Sequence, residues 1–266
     1  MKEQFYFNKV THVPTLDKIK TQWRNTLTAP QDGMWETLTD YANHLEIRAS
    51  NKSIGYACLD DGNRLLQCFI IPEFLNDGPL IFKKLLKETK VNSALIGTNN
   101  PVFMSLAMHF QQSMAIDTYL FTDEIEVETT TVEKANLKLA WQDDLDALIS
   151  FYNNSVGAPE DWLRGYLGNL IAKGELFFLS DGTDILGTCD VRLSETDMSI
   201  ADVGMVVSTE HRRKGIGSYL LGKAKELVYD MDRKPICSCE KDNMGSLKSI
   251  HKNGFRSTYQ MLKVSF

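Results

Sequence analysis

An apolar run ending at Met205, Val206 and Val207 gives way to a basic, glycine-punctuated turn and then to a long amphipathic pattern over residues 219–231. The turn reads His211-Arg212-Arg213-Lys214-Gly215-Ile216-Gly217-Ser218. A strand that feeds such a turn and opens a helix converges several backbone N–H groups and the positive end of the helix dipole on one point, an arrangement that suits a phosphate. Gly215 and Gly217 let the main chain take φ > 0 and approach an anion with no Cβ in the way, while Arg212, Arg213 and Lys214 add charge. So short a pattern gains weight only from its neighbours. Residues 198–207 read as a strand upstream and residues 235–239 as one downstream. Asn243-Met244-Gly245-Ser246 then opens a second short helix that ends at Lys252-Asn253-Gly254-Phe255.

With these parts in this order, residues 133–266 resemble the GNAT superfamily of acetyl-CoA-dependent N-acetyltransferases. The family's pyrophosphate loop, Arg/Gln-x-x-Gly-x-Gly/Ala, is matched by Arg212, Gly215 and Gly217. Its second motif, Asn-x-x-Ser/Ala followed by Lys-x-Gly-Phe, is matched by Asn243, Ser246, Lys252, Gly254 and Phe255. The resemblance implies that acetyl-CoA is the acyl donor, held by Met205, Val206 and Val207, by the loop Arg212, Arg213, Lys214, Gly215, Ile216, Gly217 and Ser218, and by Asn243, Ser246 and Lys252. The position of the family tyrosine that often protonates the departing thiolate falls at Ile250, so that role is vacant there.

A chain of 266 residues has room for two domains with cores of their own. Residues 174–180, 185–193 and 199–207 read as a meander of strands followed by helix, strand, helix and strand. The first half repeats this order: strands over 45–49, 53–59 and 65–71, a helix opening at Pro79, a strand over 93–97, a helix from Asn100 and Pro101 to Phe110, and a strand over 114–121. Helical spacing also marks residues 15–28 and 35–44, and His12 and His44 are read as surface or packing residues. The expected fold is therefore α/β with mixed sheets: two GNAT-like domains, 1–128 and 129–266, each a largely antiparallel meander followed by helix-strand-helix-strand. The corresponding loop of the first half has one glycine, no arginine and Asp77 where a pyrophosphate would sit, so that half is expected to be a degenerate domain that does not bind the donor. Residues 124–131 read as a connecting strand or linker.

Charge and cysteine content exclude several classes. Net charge −6 disfavours a nucleic-acid partner, whose phosphates need a basic surface. No apolar run is long enough to span a bilayer, and the first residues lack the apolar stretch of a secretory leader, so a cytoplasmic protein with no membrane partner is expected. Five cysteines, two of them as Cys237-Ser238-Cys239 in a strand, suit reduced thiols packed in a core, and no metal site is expected. The protein is read as a monomer or homodimer.

The second half offers two helices, from Leu145 and from Pro159, and in the resembled family the turn between them borders the acceptor. Glu160 and Asp161 are thus candidate contacts for a cationic small-molecule amine. An amine of pKa near 10 is neutral in only about one molecule in a thousand at pH 7, so a carboxylate base would help. The resemblance points to Asp202, on the strand leading to the loop, with Asp190 and Glu240 as alternatives. A backbone N–H at Val206 or Val207 would stabilise the thioester oxygen, and Gly204 would suit a bulge that splays the strand. Ser249, His251 and Tyr259 are the candidate acids for the thiolate, and His211 is read as a solvated loop residue. The functional expectation is N-acetyl transfer by direct attack on the thioester. The rival is a noncatalytic acyl-CoA sensor.

Overall fold

A computed structural model describes residues 4–129, 131, 132 and 136–266. By its contacts the chain divides into one unit of residues 1–119 and 259–266 and a second of residues 120–258.

In the first unit, β1 (Phe5–Lys9) leads through a 3-10 turn into α1 (Asp17–Arg24) and α2 (Gly33–Asp40). Asp32 starts α2 by accepting the Trp35 N–H at 3.0 Å, which satisfies one of the donors a helix start leaves open. β2 (Asn43–Ala49), β3 (Lys52–Leu59) and β4 (Leu65–Ile70) form the antiparallel meander. The helix expected over 35–44 stops at Asp40, and His44 lies buried in β2, its Nδ1 2.9 Å from the Ala42 carbonyl. A 3-10 turn from Pro72 to Asp77 and α3 (Gly78–Thr89) carry the chain to β5 (Ser93–Gly97), parallel to β4. α4 (Pro101–Met108) opens where Asn100 accepts the Phe103 N–H at 3.2 Å, with Pro101 at a position that needs no N–H. β6 (Ser113–Asp123) follows and runs into the second unit.

After β6 the second unit continues through residues 124–129, which have no regular structure. β7 (Asn136–Leu139), α5 (Leu145–Val156) and α6 (Glu160–Lys173) come next. Leu148, Ile149, Tyr152, Leu163, Leu167 and Leu170, spaced three and four apart, form one buried cluster with Leu176 and Phe178. β8 (Leu176–Ser180), β9 (Ile185–Leu193) and β10 (Ile200–Val207) are antiparallel neighbours, with β7 paired to β8. α7 (Ile216–Tyr229), β11 (Lys234–Glu240) and α8 (Met244–Lys252) complete the motif-bearing part.

β12 (Phe255–Ser265) leaves the second unit, and its residues 261–265 pair antiparallel with β5. The sequence reading divides the chain once, between residues 128 and 129. The contacts divide it between 119 and 120 and return residues 259–266 to the first unit, because the last strand finds its hydrogen-bonding edge there.

One local expectation is corrected. Gly204 does not make a bulge: β10 keeps one register along β9 from Ala201↔Leu193 to Val207↔Gly187, with Gly204 opposite Asp190. The missing side chain makes room instead, for an ideal Cβ at Gly204 would lie 2.5 Å from Oδ1 of Asp190.

Candidate functional site

The opening between β10 and α8 follows from the ladder. Among the described residues β10 pairs with β11 only from Ile200↔Lys234 to Asp202↔Ile236, although both strands run on. Beyond Asp202 the β11-facing edge of β10 has no ladder partner, and a cleft of about 640 Å³ lies there. Its size is that of a small-molecule site. It is lined by Met205, Val206 and Val207 of β10, by Val156, Thr209, Arg212, Arg213, Gly215, Gly217 and Ser218, and by Asn243, Gly245, Ser246, Lys248, Ser249 and Lys252.

α7 aims its N-terminus at this cleft. Gly215, at φ +84°, caps the helix, and the first backbone bond inside it runs from the Tyr219 N–H to the Gly215 carbonyl at 3.1 Å. The N–H groups of Ile216, Gly217 and Ser218 therefore precede the first helical acceptor, and the positive end of the dipole lies with them. Arg213 sits at φ +63°, a conformation that favours glycine, and Arg213, Lys248 and Lys252 bring positive charge to the cleft. The set of first-turn amides that precede the first helical acceptor and of basic side chains around one cleft fits a molecule carrying a diphosphate.

Arg212 does more than add charge. Its Nη2 donates to the Ser155 carbonyl at 2.8 Å, one of the last carbonyls of α5, and its Nε to the Val207 carbonyl at 3.4 Å. It ties the loop to the end of β10 and to α5. Gly217 is packed rather than open: an added Cβ would stand 3.2 Å from Met205 Sδ and from Ser249 Oγ. Asn243 caps α8 by accepting the Ser246 N–H at 3.2 Å. Asn253, which the sequence reading passed over, is buried and donates to the carbonyls of Ser218 at 3.0 Å and Ser249 at 2.8 Å, joining the first turn of α7 to the end of α8. Its place between Lys252 and Gly254 of the motif was the only signal.

Eleven of the thirteen residues expected to hold the donor line the cleft. Lys214 and Ile216 do not; Lys214 is exposed, and Ile216 turns into the core. Val156, Thr209, Gly245 and Lys248 line it unannounced. Of the three acid candidates only Ser249 is among the lining residues, its hydroxyl donating to the Gly245 carbonyl at 3.3 Å. The His251 ring packs edge-on to Phe121, and the Tyr259 hydroxyl donates to the Thr28 carbonyl within the first unit. Ile250 is buried. Glu160 and Asp161 are exposed at the start of α6, and Glu160 pairs with Arg164 at 3.1 Å. His211 is part-exposed on the loop, its Nδ1 3.4 Å from Ser208 Oγ. All five cysteines are buried and unbridged.

On the sheet face covered by α5 and α6 lies a buried charged group. Asp202, 3% exposed, receives Arg192 Nη2 at 2.6 Å, and Asp190, 4% exposed, lies 3.2 Å from Arg192 Nη1. Arg192 also donates to the Tyr166 hydroxyl at 3.1 Å, and the Thr188 hydroxyl donates to that of Tyr152 at 2.9 Å. Burial, and then Asp190, push the Tyr166 phenol up to about 12. Glu175 accepts the Leu193 N–H at 3.0 Å. Burial raises its pKa, Asp190 adding to the rise, while that N–H, Lys173 and Arg192 oppose it. Neither Asp202 nor Asp190 lines the cleft.

A model described as an acetyltransferase (GNAT) domain matches residues 12–124, and one described as the acetyltransferase (GNAT) family matches residues 139–255. Between them they take in most of the chain, which belongs to the GNAT acetyltransferases in tandem form. In Bacillus subtilis strain 168 the protein called uncharacterized N-acetyltransferase YjdG is 27% identical over 109 residues, 39% of this chain; the match spans 60% of that relative's length. Among solved structures, an acetyltransferase of the GNAT family from Colwellia psychrerythraea superposes with a TM-score of 0.92 at 24% identity, over 98% of this chain and 99% of that one. A tandem GNAT protein from the clavulanic acid biosynthesis pathway superposes at 0.68 with 12% identity, over 99% and 98% of the two chains. At these identities the likeness is one of fold. No helix of the described residues is long and apolar enough to cross a membrane, and among them no group of three or more His, Cys, Asp or Glu could hold a metal ion.

Proposed function

We propose that the chain is a cytoplasmic N-acetyltransferase whose half from residue 129 onward binds acetyl-CoA and transfers its acetyl group to a primary amine of a small molecule. The first half, through residue 128, plays a structural or acceptor-shaping part. The observation that carries this reading is the first turn of α7, which no side chain caps, facing the cleft beside the edge of β10 that has no ladder partner. The amides of Ile216, Gly217 and Ser218, with Arg213 and Lys252, would hold the diphosphate. Ser246 would bond the pantetheine arm, while Met205 to Val207 would align its amides along the strand edge. A β10 amide at Val206 or Val207 would stabilise charge developing on the thioester oxygen. When bound, acetyl-CoA supplies an activated acetyl group; the chain orients it, excludes water and takes the proton that the acceptor must lose. Ser249, which alone among the acid candidates lines the cleft, would return a proton to the leaving thiolate.

Support for reduced cytoplasmic conditions is the set of five buried, unbridged thiols. The test is release of free thiol from acetyl-CoA across aminoglycosides, polyamines, amino acids and short peptides, with the charge-reversed pair Arg213→Glu and Lys252→Glu as the control. Release above that background with one amine class is expected. Acetyl-CoA binding without release against any class would favour the sensor, the reading to which Ile250 at the family's tyrosine position gives room.

A further inference from the structure

We infer that the proton acceptor for the incoming ammonium is Asp190 on β9, with Arg192 and Asp202 as its positioning residues; this rests on the reading above. Strand alternation supplies the first step. Met205 and Val207 turn toward Gly217 of α7, on the donor side. Residues 202, 204 and 206 therefore share the opposite face, and Val206 packs against the α5–α6 cluster. Thr188, Asp190 and Arg192 of β9 share that face, as the contacts of Thr188 with Tyr152 and of Arg192 with Tyr166 show.

Distance along β10 supplies the second. The Asp190 carboxylate fills the space above Gly204, 2.5 and 3.0 Å from an ideal Cβ there. Gly204 is two residues from Val206 at the cleft wall, about 7 Å at the usual rise of a strand, which a file of two waters spans. Asp202 stands two residues further back, roughly 13 Å from the same wall, and its Oδ1 is held by Arg192 at 2.6 Å. Asp190 is held by the same guanidinium at 3.2 Å, so pairing does not separate the two carboxylates; their distance from the wall does, and Asp202 fixes the arginine that positions Asp190. The absence of a side chain at position 204 is what brings the second carboxylate forward. The groups facing Asp190 are Glu175 ahead of β8, Arg192 on β9, Asp202 on β10, Tyr152 on α5 and Tyr166 on α6.

The step balances. One proton of the ammonium passes along the two waters to the Asp190 carboxylate. The freed nitrogen lone pair forms the C–N bond at the thioester carbonyl, the C–S bond breaks with its electron pair on sulfur, and the second nitrogen proton ends on the thiolate. Asp190 returns its proton to solvent.

The test compares Asp190→Asn, Asp202→Asn, Arg192→Lys and Asp190→Glu, with acetyl-CoA affinity and pH–rate profiles measured on each. Asp190→Asn is expected to lower kcat at pH 7 by about 10²- to 10⁴-fold at unchanged acetyl-CoA affinity. It should remove the acid limb of kcat/KM, and the deficit should shrink as pH rises toward the pKa of the amine. Asp202→Asn and Arg192→Lys should move that limb without removing it, and Asp190→Glu should restore part of the rate. Turnover of Asp190→Asn within threefold of wild type, or loss of the acid limb in Asp202→Asn alone, overturns the inference. A wild-type chain that binds acetyl-CoA and releases no thiol overturns both this and the proposed function.

Discussion

The Asp190 carboxylate occupies the space that a side chain at Gly204 would need, Oδ1 lying 2.5 Å from an ideal Cβ at that position. Gly204→Ala must therefore displace Asp190, since the register across β9 and β10 leaves the strands no slack. On the proposed mechanism it lowers kcat by roughly tenfold to a hundredfold and leaves acetyl-CoA affinity unchanged. Thiol release and calorimetric binding on the one variant check this. Weakened acetyl-CoA binding with normal turnover at saturation would tell against it.

Arg213 separates stability from function. It holds φ +63° in the loop, where a side chain costs about 1 kcal/mol relative to glycine. Arg213→Gly should raise the unfolding midpoint while weakening acetyl-CoA binding through the lost charge. Urea unfolding and a salt series of binding measurements read the two effects apart, because a charge contact is screened and a strain term is not.

The loop's other arginine should behave in the opposite sense. Arg212 bonds the Ser155 carbonyl at 2.8 Å, so Arg212→Ala removes an anchor between the loop and α5. The expected cost is about 1–3 kcal/mol of stability, from an acceptor left without its charged donor, together with weaker acetyl-CoA binding. Arg212→Lys should recover little of either, since an ammonium cannot reproduce the forked contact to Ser155 and Val207.

Lys225, buried on α7, pairs with Asp123 at 2.9 Å and donates to the Asn253 carbonyl at 2.6 Å, while Tyr229 donates to the same carboxylate. Asp123→Asn leaves a buried ammonium without its countercharge and should cost about 3–5 kcal/mol. The double change Asp123→Leu with Lys225→Met should cost less than the single one. Denaturant titration of the full cycle decides it; strictly additive losses would contradict the pairing.

His44 gives the first unit an acid-sensitive point. Burial, and then Lys20, lower its pKa from the ordinary 6.5, with the Ala42 carbonyl and Asp40 acting against them. A histidine depressed in the folded state contributes stability that is fully present above 6.5 and lost as pH falls through its folded pKa, because the unfolded chain binds the proton more tightly. Unfolding free energy should fall below pH 6.5, and His44→Leu should flatten that part of the curve. An unchanged slope would place the acid sensitivity elsewhere.

What could be read before the structure was local. The basic, glycine-punctuated loop was legible because its glycines, its charges and the strand and helix around it lie within a few dozen residues, and each has its own conformational signature. The cap at Asn100 and the meander of the first half were legible for the same reason. Contacts set by register were hidden. Asp190 and Gly204 meet only because β9 and β10 pair in one frame, and a glycine in a strand reads as a bulge until that frame is known. The pairing of β12 with β5 was equally out of reach, since alternation along a strand says which face is buried and not which neighbour it joins. Ile216 was assigned to the loop by its place in the motif, while its side chain followed the amphipathic pattern of α7 into the core.

The fate of the acetyl group tests the account most directly. With isotopically labelled acetyl-CoA and the amine class that gives thiol release, the account predicts label in an N-acetyl product, one thiol released for each, and none retained on the protein. Label that stays on acetyl-CoA across every amine class, with binding intact, would contradict it.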